Sequence, residues 1–314
     1  MKKSLIAIGV FLSGTLLSGI ASAEYPERDI TYQITFAPGG GSDIRARAQQ
    51  PHLEEDLGVK MQMQYKPGGG GSLGWSNMAK QKADGYFMTG INIPHIVLQP
   101  LARDNAGYKT EDIKPVVLFQ HIPFGITVLA DSPFQTLDDL VTFARENPGK
   151  LTIGGSGTWD ATHIAHLQFE KLVGSKMTYI PHKGGKPKQT ALLGGHTMAS
   201  WFGTSEWLPH GEKVRTLAVA SAEPVATNPD LPTFKSLGFD LLSAVYHGVG
   251  VPKDTPDDIV ARLQSAFLKV ANDPATHELK LKSGIVPLAM PSAEAQALIN
   301  QRVIDWTPIV EEFK

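Results

Sequence analysis

Three times in this chain an alternating, strand-like segment runs into a glycine-rich turn closed by a hydroxyl residue, and a helical segment follows. Ile30, Tyr32, Ile34 and Phe36 alternate with Thr31, Gln33 and Thr35, the period of a strand. Pro38, Gly39, Gly40, Gly41, Ser42 and Asp43 break that pattern, and Ile44, Ala48, His52 and Leu53 continue at helical spacing. Val59, Met61, Met63 and Tyr65 repeat the strand, and Pro67-Gly68-Gly69-Gly70-Gly71-Ser72 breaks it. A short strand at residues 151–153 meets Gly154-Gly155-Ser156-Gly157-Thr158. Repeated strand–loop–helix units build a parallel sheet with helices packed on it.

The pattern falls into two sets. One set of strands lies before about residue 120, with a third strand at 86–91, and the other occupies roughly 124–240. Short strands are expected at 116–119 and 126–129, joined through Pro123, and a long apolar one at 241–251, interrupted by His247 and Gly248. Helices are expected at 73–82, 137–145, 159–173, 256–271, 274–282 and 292–311, the last three covering the first set. Crossings near Pro123 and Tyr246 would join the sets into a hinged clamshell with a ligand cleft. The expected division is 24–122 with 245–314 as one α/β lobe and 123–244 as the other.

The N-terminus predicts export. Lys2 and Lys3 precede an apolar stretch over 5–17, and Ala21-Ser22-Ala23 forms a small-x-small cleavage site before Glu24. Cleavage after Ala23 removes two lysines and no acid, so the mature chain is more acidic than the full sequence at −2. Nothing later approaches 18 uninterrupted apolar residues, so a soluble periplasmic protein is expected. That location counts against dinucleotide and ATP enzymes, and no cofactor is expected. The 29 Lys and Arg against 31 Asp and Glu leave no basic excess for nucleic acid. The absence of cysteine excludes disulfides, thiolate metal sites and cysteine nucleophiles together.

Each glycine loop opening a helix is a candidate anion site, because the first N–H groups are free and the helix dipole is positive there. None matches G-x-x-x-x-G-K-(S/T) or G-x-G-x-x-G, and none carries Lys or Arg. Backbone amides and hydroxyls would then hold a carboxylate. Asp43 reads as a first-turn acid paired with Arg47. Two rivals stand beside this reading. Gly70-Gly71-Ser72-Leu73-Gly74 matches the G-x-S-x-G elbow of serine hydrolases, although four glycines separate Ser72 from its strand and no oxyanion segment precedes it. His163 and His166 share a helix face at i, i+3 and could serve a metal receptor, although no H-E-x-x-H or acidic cluster accompanies them. His163 could equally donate to an anion, and His95 faces the expected cleft. Trp159 and Trp201 follow cleft-end loops.

Five segments in order resemble the extracytoplasmic solute receptors of the tripartite tricarboxylate transporters, the Bug receptors. Phe36 to Asp43 with Ala46-Arg47 resembles P-(F/Y)-x-x-G-G-x-x-D-x-x-A-R, with the Pro two places late. Lys66-Pro67-Gly68-Gly69-Gly70-Gly71-Ser72-Leu73-Gly74 with Ala83-Asp84-Gly85-Tyr86 resembles N-R-P-G-A-G-G-x-x-G…P-D-G-Y-T, with Lys66 for Arg and Ala83 for Pro. Ile180 to Gly185 resembles V-P-Y-K-G, with His182 for Tyr. Leu217-Ala218-Val219 and Asp230-Leu231-Pro232-Thr233 resemble L-A-V…D-V-P-T. The resemblance implies a type II periplasmic binding-protein fold, a small organic acid as ligand, a membrane permease as partner, a monomer and no chemistry. Carried onto this chain it implies ligand contacts from Pro38, Gly39, Gly40, Gly41, Ser42, Asp43, Gly70, Gly71, Ser72, Asn92 and His95. From the second lobe it implies Ser156, Gly157, Thr158, Thr162, Gly203 and Thr204. The departures at Asn92–His95, Trp159 and His182 leave the identity of the acid open.

Overall fold

The computed structural model describes residues 25–39 and 41–314. The expected signal segment and Gly40 lie outside the described residues. Ten strands form one sheet: eight follow the path β2-β1-β3-β9-β4-β7-β5-β6, and β10 and β8 pair with opposite ends of β4 off that path. The first half holds β1 (Ile30–Ile34), β2 (Met61–Tyr65) and β3 (Phe87–Ile93), with β1 parallel to both neighbours. The second holds β5 (Thr152–Gly155), β6 (Thr178–Pro181), β7 (Ala199–Gly203) and β8 (Val214–Val219).

β4 (Ile113–Leu129) belongs to both halves. Its first part pairs with β9 (Ala244–Pro252) and β10 (Val286–Pro291), and its last part with β7 and β8. The two short strands expected on either side of Pro123 are thus one strand of 17 residues. The ladder survives Pro123 because the neighbouring Phe124 N–H donates to the Ser243 carbonyl at 2.9 Å. The crossings lie side by side: Pro123 stands opposite Ala244, and His121 opposite Tyr246 with their rings stacked.

The helices sit where the turn chemistry and apolar spacing put them. They are α1 (Gly41–Leu57), α2 (Ser72–Met78), α3 (His95–Ala102), α4 (Leu137–Glu146), α5 (Ala161–Val173), α6 (Gly185–Leu193), α7 (Thr204–Trp207), α8 (Asp257–Ala271), α9 (Pro274–Lys282) and α10 (Ser292–Phe313). Thr136 and Asp139 close a reciprocal cap on α4. Gly174 ends α5 at φ 71°, a conformation that costs glycine little. Val260, Leu263, Phe267 and Val270 of α8 join Leu53 and Leu57 of α1 over Ile30, Tyr32 and Val249 of the sheet. The other face of the same sheet is covered by α2, α3 and α10, with Trp75, Ile96 and Ile299 buried there.

Expectation and structure differ elsewhere too. Helices α3, α6 and α7 and strand β10 have no counterpart in the expected elements, and helix α2 stops at Met78 rather than 82. The last helix covers the first half but also reaches the second, where Glu312 pairs with Lys171 at 2.9 Å. A small apolar cluster, Leu98, Ala102, Ile164 and Val310, joins α3, α5 and α10 across the halves.

Candidate functional site between the halves

The glycine run 68–71 ends the β2 connection with four successive positive φ values, 136°, 58°, 67° and 102°. Only glycine adopts such a run without strain. Its tip packs on α3: a Cβ at Gly70 would stand 2.8 Å from Gln99 Nε2. That amide donates to the carbonyls of Trp159 (3.1 Å) and Thr158 (3.4 Å) in the other half. One turn on, Arg103 donates to Thr158 Oγ1 at 3.1 Å. His95, one turn before Gln99, completes the same edge of the helix. The structure therefore brings Gly70, His95 and Thr158 together around α3, an element the sequence reading lacked.

The third glycine loop is organised by Asp160, the N-cap of α5. Its Oδ1 accepts from the N–H groups of Thr162 and His163, both at 3.0 Å, and from Thr162 Oγ1 at 2.8 Å. Its Oδ2 accepts from Ser156 Oγ at 2.7 Å. Burial works to raise this carboxyl, but the neighbouring His95 and the bonds from His163, Ser156 and Thr162 outweigh it and hold it below the ordinary range. Tyr179 OH meets Gly157 O at 2.5 Å and Thr162 Oγ1 at 2.9 Å. Ser156 and Thr162 are thus bound to a resident carboxylate, which takes the first amides of the helix. Trp159 stands beside them with φ 57°, the one positive-φ residue other than glycine among the described residues.

The first loop follows the same logic. Asp43 accepts from Gly39 N–H at 2.7 Å, Arg47 Nε at 2.9 Å and Tyr65 OH at 2.8 Å. The expected Asp43–Arg47 pair is present. Pro38 and Gly41 are exposed, and Ser42 is half-buried. Ser72 Oγ donates to Gly69 O at 2.9 Å, and among the described residues no histidine is hydrogen-bonded to it.

Gly203 and Thr204 lie apart from this cluster. Gly203 sits in register with Phe124 beside the crossing, its N–H donating to Glu206 Oε2 at 2.7 Å. Thr204 Oγ1 donates to the Gly284 carbonyl, a contact between the halves. Glu206 in turn pairs with the buried Lys188 at 2.7 Å, whose ammonium lies over the rings of Phe124 and Phe202.

His163 and His166 share the side of α5 that packs on Tyr179. His163 Nδ1 accepts from Trp159 N–H at 3.2 Å, and His166 lies 3.6 Å from Glu170. Among the described residues no group of three or more His, Cys, Asp or Glu is placed to hold a metal.

The missed residues are Arg45, Gln99 and His247. Arg45, the fifth residue of α1, places Nη2 2.9 Å from Nε2 of the buried His247 on β9. His247 stands in register with Asn92 on β3 and Gln120 on β4. Asn92 is buried and makes no side-chain hydrogen bond among the described residues. Burial, then Arg45, then His95 hold the His247 imidazole well below the usual histidine range, so the ring is neutral. Burial likewise lowers His95, with Asp160 opposing. A surface hollow of about 640 Å³ lies elsewhere, lined by Glu27, Arg28, Glu54 and Lys60 at the opposite ends of β1 and β2.

Two α/β halves joined by paired strand crossings, with polar groups facing one another between them, define a periplasmic-type solute-binding protein. Residues 45–314 match the family model described as tripartite tricarboxylate transporter family receptor, and the chain belongs to that family. It is 31% identical to the "UPF0065 protein in gbd 5'region" of Cupriavidus necator, covering 92% of this chain and 89% of that one. The fold matches the periplasmic binding protein BugD at a TM-score of 0.81 and 27% identity, covering 92% of this chain and 98% of that one. It matches an R. palustris protein solved with adipate at 0.84 and 25% identity, with the same 92% and 98% coverage.

Proposed function

We propose that this chain is a periplasmic receptor that captures a small organic acid, a di- or tricarboxylate or an aromatic carboxylate, between its halves. It then delivers the acid to the membrane permease of a tripartite tricarboxylate-type transporter. The observation that carries the reading is the meeting of α3 with the loop 156–159. Gln99 and Arg103 reach from one half to Thr158 and Trp159 of the other, beside the polar groups of His95 and Asn92. A ligand seated there touches both halves and reports its presence by holding them together. Adipate in the R. palustris relative supports a carboxylate as that ligand.

We assign residues 24–122 and 245–314 to one lobe and 123–244 to the other, with a signal peptide cleaved after Ala23 and a monomeric mature chain. The contacts assigned to ligand are those of the glycine loops 38–43 and 70–72, Asn92 and His95, and the loop 156–158, while Thr162, Gly203 and Thr204, whose polar groups are taken by Asp160, Glu206 and Gly284, support the site from behind. Calorimetric titration of the refolded mature chain with organic acids tests the assignment. Ser156→Ala combined with Thr158→Ala should weaken binding of the tightest acid while the protein stays folded, and unchanged affinity would remove the second lobe's loop from the site.

A further inference from the structure

We propose that Arg45 selects doubly charged acids: its guanidinium takes one carboxylate of a dicarboxylate whose remainder lies toward α3 and the second half. The inference rests on the receptor reading and narrows its ligand class.

The helix geometry sets Arg45 apart from the acid nearest in sequence. Asp43 and Arg47 share a face at i, i+4 and pair, whereas position 45 points to the opposite side. Among the described residues Arg45 forms no ion pair. Its guanidinium folds back over the glycine loop, where a Cβ at Gly41 would stand 2.8 Å from Nη1. Its hydrogen-bond partner is His247 Nε2. A guanidinium only donates, so that nitrogen accepts and the imidazole proton sits on Nδ1. A neutral ring orients the guanidinium without cancelling its charge. Arg45 is half-buried, and burial draws it down to about 10.

The neighbours are also donors without acceptors. His247 Nδ1 and Gln120 Nε2 are buried and unpartnered, and both side chains are more than nine-tenths buried. They stand in register across β9 and β4, next to Asn92. A cation without an acid partner, bonded to a strand pair that carries two unpaired N–H groups, is the complement of a carboxylate.

The test uses the mature chain, washed free of ligand under denaturing conditions and refolded. Calorimetry compares malate and the straight dicarboxylates from malonate to suberate, each with its monoamide. The tightest diacid should exceed its monoamide by about 10- to 100-fold, the range of a charge-assisted contact. In Arg45→Gln that ratio should collapse to within about threefold, with the monoamide binding as in the parent. Arg45→Lys, which keeps the charge but not the fork, should fall between them. Without ligand, Arg45→Gln should melt no lower than the parent, because it removes a half-buried charge that has no acid partner. A parent that binds diacid and monoamide alike, a ratio that survives in Arg45→Gln, or a variant that melts well below the parent overturns the role of Arg45 while acid binding still stands. Failure of the parent to bind any acid overturns both readings.

Discussion

The side-chain amide of Gln99, on α3 of the first half, donates at 3.1 Å to the carbonyl of Trp159 in the second. Gln99 is fully buried, and its Oε1 has no protein partner. One side chain therefore reaches both the glycine tip at Gly70 and the opposite half. Replacing Gln99 with Ala should raise the Kd of the bound acid about fivefold, since one such bond contributes roughly 1 kcal/mol. Calorimetry on the variant checks this, and an unchanged Kd would mean that the bond does not help hold the halves together.

Asp160 is the structural centre of the loop before α5. Its carboxylate satisfies two backbone amides and two hydroxyls. Asp160→Ala should cost about 2 kcal/mol, the upper end for an N-cap, because the Ser156 and Thr162 hydroxyls lose their acceptor as well. A urea unfolding midpoint that does not move would show the network to be dispensable.

The pair Lys188–Glu206 has one member fully buried and the other mostly so. Lys188→Ala leaves Glu206 without its cation and should cost about 3–5 kcal/mol, whereas Lys188→Met with Glu206→Gln should recover most of that loss. Equal melting temperatures for the single and double variants would contradict the account.

The histidines set the acid limb of stability. His95 and His247 are both held below the usual value of about 6.5 by burial, so the unfolded chain binds protons that the folded chain does not. Their contribution is complete above that value and is lost as the pH falls below it, by about 1.4 kcal/mol per proton per pH unit. The ligand-free protein should melt on the order of 5 °C lower at pH 5.5 than at pH 7.5, and His247→Gln should shrink the difference. A melting temperature that holds level or rises on acidification would count against neutral, buried rings at these two positions.

Much of the architecture was legible because it repeats. Period-two alternation and three glycine runs located β1, β2 and β5 and the loops that follow them. The apolar spacing of residues 256–271 located α8. Prolines concealed the rest. Pro123 reads as a break, yet it lies inside β4. β10 contains Pro287 and Pro291 and survives because it lies off the main strand path and pairs only with β4. α3 carries Pro100 in an apolar run too short to tell from a strand.

The site was legible in its loops and hidden in its charges. Asp160 stands where an N-cap belongs, and that signal was available in the sequence. Arg45 and His247 are 202 positions apart, and no local pattern joins them. His247 appeared only as an interruption in an apolar strand.

The most direct test of the account is the shift in melting temperature of the refolded, ligand-free mature chain against organic acids, amino acids, sugars and divalent metals. An acid present at 100 times its Kd should add about 2.7 kcal/mol, a rise of several degrees. The account predicts that one small class of carboxylates raises the melt and the other compounds leave it unchanged. A panel in which no acid acts, while a metal or an amino acid does, would contradict it.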